Sequence, residues 1–251
     1  MHNFIMEARN ISFHYGESGL LPVIDDLSFG AEKGKFVSII GPSGCGKSTL
    51  LRIMAGLMRA SSGEALYNGK RIVQPMRDIS FVFQDFALLP WLTNIENVKL
   101  GLSYTEFDDE KKTKTAAGML GKVGLESFAN YYPNALSGGM KQRVGIARAL
   151  ISEPHVLLMD EPFSSLDELT ANALRGDVIY MLKSRDVSVE SVIMVTHNVE
   201  EAVEMSEKIV VLSNKPSKVK KVIGINARYP RNRHTDEFER NVDSVYEWLT
   251  K

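Results

Sequence analysis

The sequence predicts an α/β fold with a mostly parallel, doubly wound sheet, and three observations carry that expectation. Short β-branched runs alternate with helix-spaced runs: Phe36–Ile40 precedes Thr49–Leu57, and Val156–Met159 precedes Leu169–Lys183. A glycine-rich loop, Gly41-Pro42-Ser43-Gly44-Cys45-Gly46-Lys47-Ser48-Thr49, lies between the first such strand and its helix. It fits the phosphate-binding pattern G-x-x-x-x-G-K-S/T at every fixed position. A chain of 251 residues, 44% apolar and 24% charged, holds enough core for one large α/β domain or two small ones.

Taken in order, Met6 to Tyr15 alternates apolar and polar residues (Ile11, Phe13, Tyr15) and reads as a half-buried strand. Gly16 and Gly19 mark a loop, Val23 to Phe29 a second strand, and Glu64 to Gly69 a strand running into a turn. Together these predict an antiparallel sheet flanking the nucleotide core. Ile79 to Phe83 is a compact strand ending at Gln84. Leu100 to Asn130 changes texture, with helical patterning and many charges, and predicts an inserted helical lobe at about 88–150. The alternation resumes with a helix from Met140 to Ile151, then the strand, helix and strands at Val156–Met159, Leu169–Lys183, Val192–Val195 and Ile209–Leu212.

A short C-terminal helix is expected at about 235–250, capped by Thr235, with Phe238, Val242, Val245 and Leu249 on one face. Arg228, Arg231 and Arg233 precede it. They read either as a contact for a lipid headgroup or partner, or as the solvated approach to a helix packed on its own domain.

The glycine loop has a direct physical reading. Gly41, Gly44 and Gly46 let the backbone turn and approach a polyphosphate without a Cβ in the way. Bare N–H groups and the positive end of the helix dipole then face the anion. Lys47 supplies a point charge for the outer phosphates, and the Ser48 hydroxyl is a ligand for magnesium.

Composition excludes other classes. Lys and Arg number 30 against 31 Asp and Glu, a net charge of −1, so no global basic field is present to hold nucleic acid. Cys45 is the only cysteine, which rules out an internal disulfide and suits a reducing cytosol. No apolar run reaches the length of a membrane span, and the N-terminus lacks a signal-peptide core. A membrane role is expected to come through a partner.

Further signals follow in a fixed order. Leu136-Ser137-Gly138-Gly139-Met140-Lys141-Gln142-Arg143 opens a helix with a second set of bare N–H groups. Val156-Leu157-Leu158-Met159-Asp160-Glu161 is an apolar strand ending in two acids, and Ser164-Ser165-Leu166-Asp167 comes next. Gln84 and His197 each follow a strand. In these motifs the chain resembles the ATP-binding subunits of ABC transporters, from about Ile11 to Leu212. Met140 stands where the commonest family form has glutamine, as in similar cassettes of small-oxyanion importers.

The resemblance implies one ABC nucleotide-binding domain over 1–251, with ATP and Mg2+ as its ligands. It implies that Gly41, Pro42, Ser43, Gly44, Cys45, Gly46, Lys47, Ser48 and Thr49 cradle the phosphates and that adenine stacks on Tyr15. Ser137, Gly138 and Gly139 would close over ATP held by a second copy in a homodimer. Ser48, Gln84 and Asp160 would serve the magnesium, Glu161 would polarise the attacking water, and His197 would reach the γ-phosphate. With Lys47, Glu161 and His197 make the catalytic set. Ser164–Asp167 is similar to the family's D-loop, although an ordinary helix-capping turn would read the same way.

Function then follows as a cytoplasmic motor subunit, peripheral on the inner face of the cell membrane through its permease, hydrolysing ATP to drive import. A solute-binding protein would be an indirect partner. Phe83–Trp91 and Leu136–Met140 are similar to nitrate, sulfonate and taurine importer cassettes, so a small oxyanion or sulfonate is the expected solute. The alternative is a soluble ABC ATPase of translation or DNA repair, but those carry paired cassettes or a long coiled-coil insertion, and this chain has neither. A phosphate-loop kinase would have no use for the Asp160-Glu161 pair. The apolar run Phe86–Leu92 is expected near the surface, because Pro90 breaks regular structure there, and to receive the permease. Burial in the core is the competing reading.

Overall fold

The alternating run near the N-terminus forms β1 (Met6–Tyr15), which buries Met6, Ala8, Ile11 and Phe13 on one face. β2 (Leu21–Ala31), β3 (Phe36–Ile40) and α1 (Lys47–Met54) follow, then β4 (Ser62–Tyr67), β5 (Lys70–Arg71) and β6 (Ile79–Val82). Next come α2 (Asn94–Lys99), α3 (Asp109–Lys122), α4 (Gly138–Leu150), β7 (Val156–Asp160) and α5 (Glu168–Lys183). The chain closes with β8 (Ser191–Val195), α6 (Val199–Met205), β9 (Lys208–Leu212), β10 (Val219–Gly224) and α7 (Asp236–Thr250). This computed structural model describes residues 4–16, 21–183 and 187–251. Gly19, expected in a loop, lies outside the described residues.

The chain divides into two compact units, residues 1–76 with 190–251, and residues 77–189. In the first, β2-β1-β4-β5 form an antiparallel sheet. β3 pairs in parallel with both β8 and β9, and β10 runs antiparallel on the outer side of β9. Every residue of β3 and β8 is buried, which is why both read as unbroken apolar runs rather than alternating ones. The expected mostly parallel sheet and flanking antiparallel sheet are both present. Strand β10 is an addition to the expected elements. Lys220 and Lys221 break its apolar pattern, as suits an edge strand that must not recruit another chain.

α7 starts where expected, the Thr235 hydroxyl accepting the Phe238 N–H at 3.3 Å. Phe238 and Val245 pack against Ile40, Val199, Val203, Ile209 and Val211, with Val242 and Leu249 alongside. Each fully buried side chain of this kind contributes about 1.5–3 kcal/mol. The preceding arginines are turned to the same purpose. Arg231 is buried and donates to the carbonyls of Val203 and Ser206, both at 2.6 Å, and of Ala227 at 3.0 Å. Its guanidinium also lies over the Tyr229 ring at 4.2 Å. Arg233 pairs with Glu204 at 2.5 Å and Glu200 at 3.2 Å. Of the three, Arg228 is the exposed one, so the cluster serves its own domain rather than a basic surface.

In the second unit β6 and β7 run parallel, Val82 opposite Met159. Its helices are locally specified. Thr93 and Glu96 form a capping box at α2, and Asp108 caps α3 by accepting the Lys111 N–H at 2.8 Å. Ala116, Leu120, Val144, Ile146 and Ala147 of α3 and α4 are buried.

Truncating Arg231 strips several carbonyls of their donor at a buried place. Arg231→Ala is expected to lower the free energy of unfolding by about 1–3 kcal/mol, measured by urea titration, with ATP affinity of the folded protein unchanged.

Candidate active site

In the first unit the register Ile39 opposite Val195 sets the ends of β3 and β8 side by side, so the loop opened by Gly41 and the turn holding His197 leave the same edge. Gly46 precedes α1 with φ of 108°, which side chains rarely adopt, and a Cβ there would lie 2.7 Å from Val23 Cγ1. Only glycine fits. It offers α1 no capping side chain, and no acid stands in the first turn, so the helix dipole is left for an anion. Lys47 is buried and donates through Nζ to the carbonyls of Gly41 at 2.8 Å and Pro42 at 3.0 Å. Its charge is thus held inside the loop it starts from. Burial pushes the Cys45 thiol pKa up, with the charge of Lys47 opposing, so the side chain is packing rather than a nucleophile. Tyr15 Oη lies 3.1 Å from Thr49 Oγ1 and its ring meets Phe13 edge-on at 4.9 Å. The ring stays 45% exposed, leaving a face on which a base can stack.

His197 is exposed but its backbone is tightly gripped. The Thr196 N–H donates to the Ile39 carbonyl at 3.2 Å and its hydroxyl pairs with buried Glu201. Asn198 donates its N–H to Thr196 Oγ1 at 3.0 Å and caps α6 through the Glu201 N–H at 3.1 Å. Neither bond pair was foreseen from sequence, although Asn198 three residues before Glu201 is a capping signal.

In the second unit Gln84 follows β6, and Asp160 and Glu161 end β7 and leave it. Asp160 is buried, and Glu161 has a left-handed φ of 44° without being glycine, a strain of about 1–3 kcal/mol. Ser164 holds that turn, donating both its N–H (3.3 Å) and its hydroxyl (3.0 Å) to the Glu161 carbonyl. Gln84 Nε2 reaches Ser164 Oγ at 3.5 Å. Gln84 and the acid pair are therefore brought together through Ser164, the first residue of the stretch that resembles the D-loop. Asp167 accepts the Thr170 N–H at 3.0 Å, and hydrogen bonds from the Thr170 side chain and then its N–H hold the carboxyl below the usual range.

Residues 24–164 match the ABC transporter family. The chain belongs to it. The cassette is 41% identical over 228 residues to an aliphatic sulfonates import ATP-binding protein of Bacillus anthracis, covering 91% of this chain and 88% of the relative. An uncharacterized ABC transporter ATP-binding protein of Methanocaldococcus jannaschii is 41% identical over 215 residues, with 86% and 79% covered. Among solved structures, a dimeric ATP-binding cassette in a post-hydrolysis state bound to ADP and Pi superposes with a TM-score of 0.76 at 32% identity, covering 89% of this chain and all of that one. The protein is thus an ABC ATPase, an ATP-binding cassette of the ABC transporter family. Among the described residues, no helix is long and apolar enough to cross a membrane.

Gly139, in the first turn of α4, meets a packing constraint. Ser137 caps α4, accepting the Met140 N–H at 3.4 Å. A Cβ on Gly139 would lie 2.4 Å from Thr170 Cγ2. The start of α4 is therefore packed on the start of α5 with no room for a methyl group. Among the described residues no group of three His, Cys, Asp or Glu side chains could hold a metal. Ser48 in the first unit carries a hydroxyl, and Gln84 and Asp160 in the second carry oxygens, all hard donors of the kind magnesium takes.

Overpacking at that contact is expected to cost about 1–3 kcal/mol in Gly139→Ala. Adding Thr170→Ser, which deletes the obstructing methyl, should recover most of the loss. Thermal melting of the two variants against the parent measures both steps.

Proposed function

We propose that the cassette is a homodimeric ATP motor whose two nucleotides are each enclosed by the phosphate loop of one copy and the α4 start of the other. The observation that carries this is that, among the described residues, one chain presents two helix starts with glycine and no acid in the first turn, at Gly46 before α1 and at Gly138–Gly139 of α4, yet has one phosphate loop. A second anion cradle on the same chain is explained by a second copy.

In this reading Tyr15 takes the adenine ring, and residues Gly41 to Thr49 take the phosphates. Ser48, Gln84 and Asp160 hold magnesium, which when bound supplies positive charge against the phosphates. Glu161 accepts a hydrogen bond from the attacking water and draws its proton, while His197 donates to the γ-phosphate. The site mainly positions and stabilises, since phosphoryl transfer spreads charge over the transferring group. The helices at about 88–150 act as a lobe of one 1–251 domain, and the C-terminal helix at about 235–250 as part of its packing.

The partner that turns this hydrolysis into transport is an integral membrane permease, which would place the cassette on the cytoplasmic face. Trp91 supports the docking surface: it is 69% exposed beside Pro90, with Leu88, Leu89 and Leu92 half-buried around it. Of the expected solutes, a small oxyanion or a sulfonate, the relatives' names support the sulfonate, which a solute-binding protein would deliver on the other side.

Glu161→Gln is expected to bind ATP normally, to lose about 10²–10⁴-fold in turnover, and to persist as a dimer on size exclusion with ATP and magnesium. A monomeric or fully active variant would remove Glu161 from its assigned role.

Trp91→Ala should leave the ATPase rate and melting temperature of the isolated cassette close to the parent. It should weaken permease capture by about 2 kcal/mol or more, read by titrated pull-down. A lowered melting temperature with capture intact would make Trp91 a core residue instead.

A further inference from the structure

The segment directly after Gln84 has an unusual backbone. Phe86 and Ala87 both sit in the left-handed region, with φ of 63° and 46°, and neither is glycine. Such residues persist only where surrounding bonds over-determine them. Here local backbone bonds hold the amides, Phe86 N–H to the Phe83 carbonyl at 3.3 Å and Ala87 N–H to the Asp85 carbonyl at 2.7 Å, and one distant side chain holds the carbonyls. Arg148 of α4 spreads its fork over the two carbonyls, Nη1 to Ala87 at 2.5 Å and Nη2 to Phe86 at 2.8 Å. One turn earlier, Gly145 brings the same helix to the Phe86 carbonyl, 3.4 Å from where a Cβ would stand. The charge of Asp85 supports the guanidinium against its burial. Farther along, Asn97 donates to the carbonyls of Leu89, Leu92 and Thr93, so Arg148 grips the Gln84 end of the segment and Asn97 the other.

We propose that Arg148 is a positioning residue for ATP hydrolysis, holding the Phe86–Ala87 pair so that Gln84 and the Ser137 end of α4 move as one piece. Eleven residues of continuous helix separate Ser137 from Arg148, about 16 Å at 1.5 Å per residue. The signature end and the Gln84 turn are then joined by a helix and a bidentate clamp rather than by flexible chain. A lysine cannot replace the clamp, because a single ammonium lacks the planar fork that meets two carbonyls. The inference rests on the reading of Gln84 as a residue of the hydrolytic site.

A double-mutant cycle on the full chain tests it, with steady-state ATPase kinetics and melting curves for Arg148→Lys, Gln84→Ala and the pair. Arg148→Lys should lower kcat about tenfold with KM for ATP little changed, and the loss should shrink to under about twofold in the Gln84→Ala background, since residues acting as a unit are not additive. The same tenfold loss in both backgrounds would overturn the proposal, because Arg148 would then be acting elsewhere or only through stability. A wild-type kcat in Arg148→Lys would overturn it outright. If Gln84→Ala alone hydrolyses normally, the role given to Gln84 fails and takes this inference with it, a result distinct from additivity. Should Arg148→Lys not fold, Ala87→Val decides. It strains the same joint from the loop side with Arg148 intact, so a similar fall in kcat supports the clamp and a wild-type rate refutes it.

Discussion

Parallel strand pairing is the constraint on which the rest of this protein depends. When neighbouring strands run the same way, their C-terminal ends and the loops that leave them gather at one edge. In the first unit that edge collects the glycine loop after β3 and His197 after β8, locked by Ile39 opposite Val195. In the second it collects Gln84 after β6 and the Asp160-Glu161 pair after β7, locked by Val82 opposite Met159. A slip of one residue in either register would turn every side chain to the other face. The buried apolar faces of these strands therefore determine where the chemistry-bearing residues emerge, and no functional residue needs to specify its own location.

That economy leaves the turns to be shaped by local chemistry, and several are strained. Glu161, Phe86 and Ala87 are left-handed without glycine. A left-handed residue with a Cβ costs roughly 1–2 kcal/mol, so each needs compensation close by. Ser164 supplies it at Glu161 with two donors to one carbonyl, and Arg148 supplies it at Phe86 and Ala87. Glycine at these places would remove the strain but would also let the turn wander. A side chain held in a costly conformation by specific bonds is stiffer than one that is merely permitted there.

Much of the fold was legible because the strong signals are local. Five-residue apolar strands and the Thr235 cap each announce themselves within a few residues. The phosphate loop is legible for the same reason, since its chemistry needs glycines and a lysine at fixed spacing. What was not legible depends on partners distant in sequence. β10 carries lysines and shows itself only by pairing with β9. The left-handed pair at Phe86–Ala87 has no glycine or asparagine to mark it, and its carbonyls are held by an arginine sixty-one positions beyond Ala87. That Gly139 also abuts the methyl of Thr170 depends on a residue thirty-one positions on. Arg231 looked like surface charge, and burial under three carbonyls could not be read from its neighbours.

The energetics of a dimeric motor turn on how much of the nucleotide's binding energy remains after the site has been organised. Reversing a 1:99 open-to-closed ratio to 99:1 takes about 5.5 kcal/mol of differential binding. A loop that had to be ordered by ATP would consume much of that, at roughly 1–2 kcal/mol per residue fixed. Here Lys47 is already desolvated and bonded to the carbonyls of Gly41 and Pro42, and Gly46 is pinned against Val23. For a phosphate arriving at this loop, the exchange is a redirection of donors rather than the folding of a segment. In the dimer proposed above, the free energy so spared is available for the N–H groups at the start of a second copy's α4. Rigidity in the loop and mobility between copies are in this sense one requirement.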